Sequence, residues 1–255
     1  MFRVLQFNMQ FGMGWNDEKP DDVAPDLNAT IAEIRKHKAD IVLLQEVEHA
    51  LAEGRQVEPP PNYSRLISGL SEYDGFFSYP KSDPRELPFG IGLSILARAP
   101  LRNHIKVDIP SPPIEFEFGG RKMTPTDRLM IGATTTCDGR DVRVFNVHLL
   151  AFFMLGSSST MFPWQRNLVA DQISDGAVPT ILGGDFNVSE HETLVAQFAG
   201  QGFSTIQDTL PTWRRRPYVL DHVFYDGTFR CVSHRIEPTM ASDHHAVVAD
   251  FEFVS

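Results

Sequence analysis

Short apolar runs that end in polar groups recur along this chain. Residues 2–7 alternate as a strand and end at Asn8, with Val4 and Gln6 on the same face as Asn8. Residues 41–44, Ile-Val-Leu-Leu, read as a buried strand ending in Gln45-Glu46. Residues 129–136 and 142–149 alternate on either side of Cys137-Asp138-Gly139-Arg140, which predicts a β-hairpin whose second strand ends with His148. Thr180, Ile181 and Leu182 predict a strand running into Gly183-Gly184-Asp185-Phe186-Asn187. Residues 219–225 and 231–235 predict strands around an Asp226-Gly227 turn, and residues 246–253 the last strand. Residues 90–97 predict another, with Arg98 and Pro100 just after it, and residues 76–79 a short one.

Helical spacing is rarer. Residues 25–38 place Leu27, Ile31 and Ile34 on one side and charges on the other. Residues 164–173 and 192–198 read as two more helices. Residues 52–64, with Pro59-Pro60-Pro61, predict a surface loop, and residues 80–90 an irregular one. The proline-rich residues 108–127 predict an excursion or a long hairpin. Residues 207–217 form a loop carrying Trp213 and Arg214-Arg215-Arg216. Many strands, fewer helices, and hairpins mixed with βα crossovers predict an α/β sandwich of mixed sheets. No internal repeat or flexible linker divides it, so the expectation is a single domain over residues 1–255.

Composition narrows the function. The 255 residues are 42% hydrophobic and 22% charged, as in a soluble globular domain, and the formal charge is −10. That acidity argues against broad, charge-driven binding to nucleic acid or anionic membrane. It leaves room for a phosphate substrate, since a bound divalent cation reverses the local sign. The two cysteines, Cys137 and Cys231, lack metal-ligand spacing and are expected to be free, buried thiols. No leader pattern precedes the first strand and no apolar run approaches a membrane span, so the simplest expectation is a cytoplasmic enzyme. Nothing in the sequence sets an oligomeric state.

The candidate chemistry lies at the strand ends. Two glycines before Asp185 allow a close backbone approach. In an extended chain Asp185 and Asn187 project to one side, a pairing of anion and amide that suits a hard metal ion and an attacking water. Asn8, Glu46, His148, Asp221, Asp243 and His244 stand at comparable positions. Taken singly, each has an ordinary explanation as a turn former, a cap or the solvated end of a strand. Together they are acidic, amide and imidazole groups where sheet folds place active sites.

These segments, in this order, resemble the endonuclease/exonuclease/phosphatase superfamily, which includes deoxyribonuclease I, abasic-site endonucleases, neutral sphingomyelinases and inositol phosphatases. The matching residues are Phe7-Asn8, Gln45-Glu46, residues 94–100, Asn146-Val147-His148, Gly184-Asp185-Phe186-Asn187, Leu220-Asp221-His222-Val223 and Ser242-Asp243-His244. The resemblance implies a four-layer sandwich of two packed mixed sheets flanked by helices, with the site at one edge. It implies Mg²⁺ or Mn²⁺ held by Glu46 with Asn8, Asp243 completing a second metal position, and Asp185 positioning and deprotonating the attacking water. It further implies Asn187 hydrogen-bonding the phosphoryl oxygens, His244 on the scissile phosphate oriented by Asp221, and His148 as a general acid or phosphate contact. The implied reaction is in-line hydrolysis of a phosphate ester. There are departures. Some branches carry Asp where this chain has Gln10. The abasic-site branch carries Tyr where this chain has His148, which places the chain nearer the deoxyribonuclease I, sphingomyelinase and small bacterial branches. Strand alternation turns His222 and His245 to the other face, outside the site.

Substrate identity is less legible. Trp213 with Arg214, Arg215 and Arg216 enters the strand bearing Asp221, where an arginine could bind a substrate phosphate or be a solvated charge run. Arg98, at the end of a matched segment, is a further candidate for substrate binding. The stretch Phe152-Phe153-Met154-Leu155 to Met161-Phe162 reads equally as a hydrophobic lid and as core packing. The favoured expectation is a metal-dependent phosphodiesterase or phosphatase acting on a small or lipid-linked ester, with peripheral lipid contact compatible. The alternatives are a DNA or RNA nuclease and a catalytically inactive phosphate-binding module.

Overall fold

In the computed structural model of the chain, residues 1–86, 91–174, 176–206 and 209–254 are described. One six-stranded sheet has the order β13-β14-β1-β2-β4-β3. Its strands are β1 (Phe2–Asn8), β2 (Ile41–Gln45), β3 (Asp74–Ser78), β4 (Leu93–Ala97), β13 (Phe229–Glu237) and β14 (Ala246–Phe253). The other has the order β11-β12-β10-β9-β8-β5. It is built from β5 (Arg102–Ile109), β8 (Arg128–Cys137), β9 (Arg140–His148), β10 (Thr180–Asp185), β11 (Phe203–Thr205) and β12 (Asp221–Asp226). Each sheet is mixed: β1 pairs parallel with β2, β10 parallel with β9, and the remaining pairs are antiparallel.

Alternation along each strand builds the layers. Val4, Ile41, Leu43 and Ile95 of the first sheet pack against Ile131, Val144, Ile181 and Val223 of the second, and these residues fill the space between the sheets. The alternate residues Leu5, Phe7, Val42 and Leu44 pack outward on helices α1 (Leu27–His37) and α2 (Pro61–Gly69). On the far side Phe145, Val147, Leu182 and Phe224 pack on α3 (Trp164–Ile173) and α4 (His191–Ala199). The expected four-layer sandwich is therefore the observed fold. Among the described residues no helix is long and apolar enough to cross a membrane.

Several local expectations are corrected. Helix α2 begins inside the segment expected to be loop, because Pro61 occupies its first turn, where a missing N–H costs nothing. Its other free amides are met from a distance: Glu48 Oε1 accepts from Asn62 N and, at 3.0 Å, from Tyr63 N. Strand β5 was not expected, although Ile105, Val107 and Ile109 alternate toward the α3–α4 side. The strand expected over residues 90–97 begins at Leu93, and residue 90 lies outside the described residues. The proline-rich excursion contains a short hairpin of β6 (Phe116–Phe118) and β7 (Arg121–Met123). Both cysteines are free, but Cys231 is half-buried rather than buried because it lies on β13, the edge strand of its sheet.

Candidate active site

The residues facing the other sheet change character along each strand. In β1 they run Val4, Gln6, Asn8; in β2 Ile41, Leu43, Gln45; in β9 Val144, Asn146, His148; in β10 Ile181, Gly183, Asp185. β12 is antiparallel to β10, so it contributes its first residue, Asp221, directly opposite Asp185. The polar ends thus gather at one edge of the inter-sheet space. β10 reaches this register because Gly184 has no side chain: a Cβ there would lie 2.1 Å from Val147 O, and its φ is +153°.

Glu46 does not arrive by alternation. One residue past inward-facing Gln45, it would point toward the helices if the strand continued. Its left-handed backbone, φ +50°, ends the strand and returns the carboxylate to the interface. Asn187 likewise has φ +51°, so the chain is not extended through it as the sequence suggested. Asp185 Oδ1 instead accepts from Asn187 N at 3.0 Å, closing a tight turn, and Asn187 Nδ2 donates to Leu149 O at 3.1 Å.

Asp185 is the hub. Its Oδ2 accepts from Asn8 Nδ2 at 3.0 Å and lies 3.6 Å from His148 Nε2 and 3.7 Å from His244 Nε2. Asn8 Nδ2 also donates to Glu46 Oε1 at 3.0 Å, and His148 Nε2 is 3.9 Å from the same oxygen. His244 Nδ1 is 2.8 Å from Asp221 Oδ2. Ser242 supports this end: its hydroxyl donates to Asn8 O at 2.7 Å and accepts from His244 N at 3.1 Å.

Burial makes these charges interact strongly. Burial and the nearby Asp243 charge push the Glu46 carboxyl up to about 7. Burial and the Asp221 charge hold the Asp185 carboxyl well above its ordinary range, against the opposing pull of His244 and Asn8. Burial works against a charged His244, yet the Asp221 charge and hydrogen bond outweigh it and hold the imidazole well above its ordinary value. Candidate donor atoms of Glu46, His148 and Asp185 lie within 4.8 Å of one another, as do those of Asp185, Asp221 and His244. A set of oxygen-rich donors with buried, mutually repelling carboxylates fits a divalent cation.

The remaining candidates divide. Asp243 Oδ2 accepts from Trp213 Nε1 at 3.1 Å and from Arg215 Nε at 3.0 Å, and Asp243 belongs to neither donor cluster. The Trp213 ring lies 6.2 Å from that of His244 and 5.8 Å from that of Phe153, which in turn meets Tyr218 at 5.2 Å. Arg214 donates to Thr239 O and Arg215 also pairs with Asp21. Arg216 is exposed, sits 5.9 Å over the Phe153 ring and makes no ion pair among the described residues. The aromatic stretch splits in function: Phe152 stacks in the interior on Phe162, while Phe153 turns to this rim.

Arg98 is not at the site. β4 runs antiparallel to β2, so the residue after β4 returns to the start of β2, opposite Glu46, where Arg98 Nε donates to Ala39 O at 3.1 Å. His222 faces away as alternation requires. It is packed on Phe224 and Phe186, and burial, reinforced by His191, lowers its pKa to about 3.

Sequence reasoning missed Thr212, whose buried hydroxyl accepts from the amides of Leu220 and Asp221 at 3.0 and 3.1 Å and fixes the entry to β12. No local signal marked it. Gln10, noted only as a departure, donates its backbone N–H to Asn8 Oδ1 at 3.1 Å, and its Oε1 accepts from Asp243 N at 3.3 Å.

The sequence matches the model of the Endonuclease/Exonuclease/phosphatase family over residues 5–244. No curated protein matches it. Among solved structures, the endonuclease/exonuclease/phosphatase from Beutenbergia cavernae superposes with a TM-score of 0.73 at 22% identity, covering 99% of this chain and 71% of that one. The human Nocturnin catalytic domain, solved with a bound sulfate anion, gives 0.66 at 20% identity, covering 99% and 93%. A mannosyl-6-phosphatase from Bacteroides thetaiotaomicron gives 0.67 at 14% identity, covering 99% and 100%.

Proposed function

The chain belongs to the Endonuclease/Exonuclease/phosphatase family, and from that premise we propose that it is a divalent-metal-dependent hydrolase of phosphate esters, a phosphodiesterase or phosphatase acting on a small or lipid-linked substrate. The observation that carries this reading is the convergence on Asp185 Oδ2 of Asn8 at 3.0 Å, His148 at 3.6 Å and His244 at 3.7 Å, with Glu46 beside them.

In this reading Glu46, Asn8 and Asp185 face the metal. Bound Mg²⁺ or Mn²⁺ would supply Lewis-acid stabilisation of the phosphoryl oxygens and lower the pKa of water. Asp185 takes the proton from the attacking water, as the carboxylate on which Asn8, His148 and His244 converge. His244, held cationic by Asp221, donates Nε2–H to a phosphoryl oxygen as negative charge builds there. His148 donates to the phosphate or to the departing oxygen. Asn187 uses one N–H on Leu149 O and turns the second to the phosphoryl group. Trp213, with Phe153 and Tyr218, offers an apolar wall beside His244, and Arg216 a cation over it. These groups suit an organic portion of the ester and a second anionic group.

The likeness to a mannosyl-6-phosphatase is compatible with a small phosphate ester, and the formal charge of −10 disfavours a long nucleic acid. The test is a substrate panel: bis(p-nitrophenyl) phosphate, p-nitrophenyl phosphate, sugar phosphates, sphingomyelin, RNA, and single- and double-stranded DNA. Each is run with Mg²⁺, Mn²⁺ and EDTA, using wild type and Asp185→Asn. Metal-dependent turnover abolished in Asp185→Asn is the expected result. Salt-sensitive cleavage of DNA or RNA alone would replace the small-ester reading with a nuclease. No turnover by folded, metal-loaded protein would leave a phosphate-binding module.

A further inference from the structure

One layer of carboxamides separates the apolar part of the inter-sheet space from the candidate active site. Gln6, Gln45 and Asn146 are fully buried and come from three strands. Asn146 Nδ2 donates to Leu44 O and to Ser94 O, both at 2.9 Å. Only the nitrogen of that amide can serve two carbonyls, so its orientation is set. Asn146 Oδ1 is then the acceptor for Gln45 Nε2 at 2.6 Å, and Gln45 Oε1 the acceptor for Gln6 Nε2 at 2.7 Å. The other N–H of Gln6 reaches Asp221 Oδ1 at 2.9 Å.

Each amide dictates the next, so the polarity runs one way, from two backbone carbonyls to one carboxylate oxygen. Reversing Gln6 would set its carbonyl against both Asp221 and Gln45 Oε1. In the observed orientation Gln6 Oε1 has no hydrogen-bond partner among the described residues, a cost that an apolar side chain at this position would not incur. The chain ends by occupying Asp221 Oδ1, while Thr212 Oγ1 holds the Asp221 backbone and Asp221 Oδ2 is left for His244 Nδ1.

Resting on the reading that His244 and Asp221 serve phosphate-ester hydrolysis, we propose that Gln6, Gln45 and Asn146 are positioning residues. They form a directional amide relay that keeps Asp221 an acceptor aimed at His244 Nδ1 and so fixes His244 Nε2 toward Asp185 and the phosphate. None of the three touches substrate. Each acts through Asp221, and a network of this kind is apportioned only by coupled substitutions.

The test is a double-mutant cycle with Gln6→Met, which keeps length and loses both donors, on wild-type and Asp221→Asn backgrounds. On the wild-type background kcat falls about tenfold or more while KM stays within about threefold. On the Asp221→Asn background the same change costs less than about twofold, because its target is already gone. Unchanged kcat in Gln6→Met, or a loss that multiplies in full on both backgrounds, overturns the relay. If Gln6→Met does not fold, Gln45→Met, one link upstream, is carried through the same cycle. A readout independent of turnover is the Nδ1–H resonance of His244 in ¹⁵N-histidine-labelled protein. Its shift or loss in Gln6→Met, in a protein whose wild type hydrolyses nothing, upholds the relay and sinks the proposed function. An unmoved resonance sinks the relay even in an active enzyme.

Discussion

The two ends of the inter-sheet space are made by the same strands and are chemically opposite. At one end Val4, Ile41, Val144, Ile181 and Val223 interlock as an apolar core. Two to four residues along each strand, on the same face, stand Asn8, Gln45, His148, Asp185 and Asp221. The difference is not one of burial, since Asn8, Gln45 and Asp221 are as enclosed as Val4. What differs is what burial does. At the apolar end it removes carbon from water and stabilises the fold at roughly 25 cal/mol per Å². At the polar end it confines ionisable groups that cannot relax, so their charges act on one another and protonation shifts. A sheet interface thus holds stability at one end and reactivity at the other, without any change of backbone.

The largest expected effect comes from the polar end. Asp185→Asn should lower kcat by about a thousandfold or more while the unfolding transition moves little, and steady-state kinetics beside a thermal melt checks both. A comparable rate loss from an apolar-end change would break the comparison. Leu43→Ala is that change: it should cost about 2–5 kcal/mol of stability by urea titration while the folded protein keeps its kcat.

The third expectation concerns pH. The Glu46 carboxyl ionises near 7 in the fold against 4.5 ordinarily, so the folded state holds its proton more tightly than the unfolded one. Its contribution is fully present below about 4.5 and is lost as pH rises through about 7. Metal-free protein should therefore lose stability over that window, and the stabilisation conferred by Mg²⁺ or Mn²⁺ should grow over it. A cation-induced shift in melting temperature that is flat with pH would count against Glu46 as a ligand.

The smallest effects sharpen the contrast between faces and between ends. His222, adjacent in sequence to Asp221 but turned to the helix side, should give a turnover within about threefold of wild type when changed to Ala, whatever it costs in stability. Arg98→Ala, at the far end of β2, should leave both kcat and KM unchanged. A selective KM rise there would mean that substrate reaches well beyond the catalytic edge.

Much of this was legible in the sequence. The helix α1, the hairpin of β8 and β9 and the strand β1 follow from apolar periods of 3.6 and 2, which local sterics impose, while β2 follows from an unbroken apolar run that is buried on both faces. The placing of His222 away from His244 also follows from a period of 2. The amino-terminal capping of α2 was not legible, because its partner is the carboxylate of Glu48, 14 residues before Asn62.

The sequence by itself determined which residue types end the apolar runs, the family they belong to, and which face of each strand they occupy. Only the tertiary structure decided which ends meet. Strand direction sent Arg98 away from the site, because β4 is antiparallel to β2. Left-handed backbone at Glu46 re-aimed a side chain that alternation alone would have turned toward the helices, and at Asn187 it closed a tight turn on Asp185 in place of an extended chain. The rim of Trp213, Phe153 and Arg216 and the chain from Asn146 to Asp221 join residues up to 215 positions apart. A periodicity is a property of neighbours along the chain. A site is a property of neighbours in space, and the packing of two sheets is what makes them neighbours.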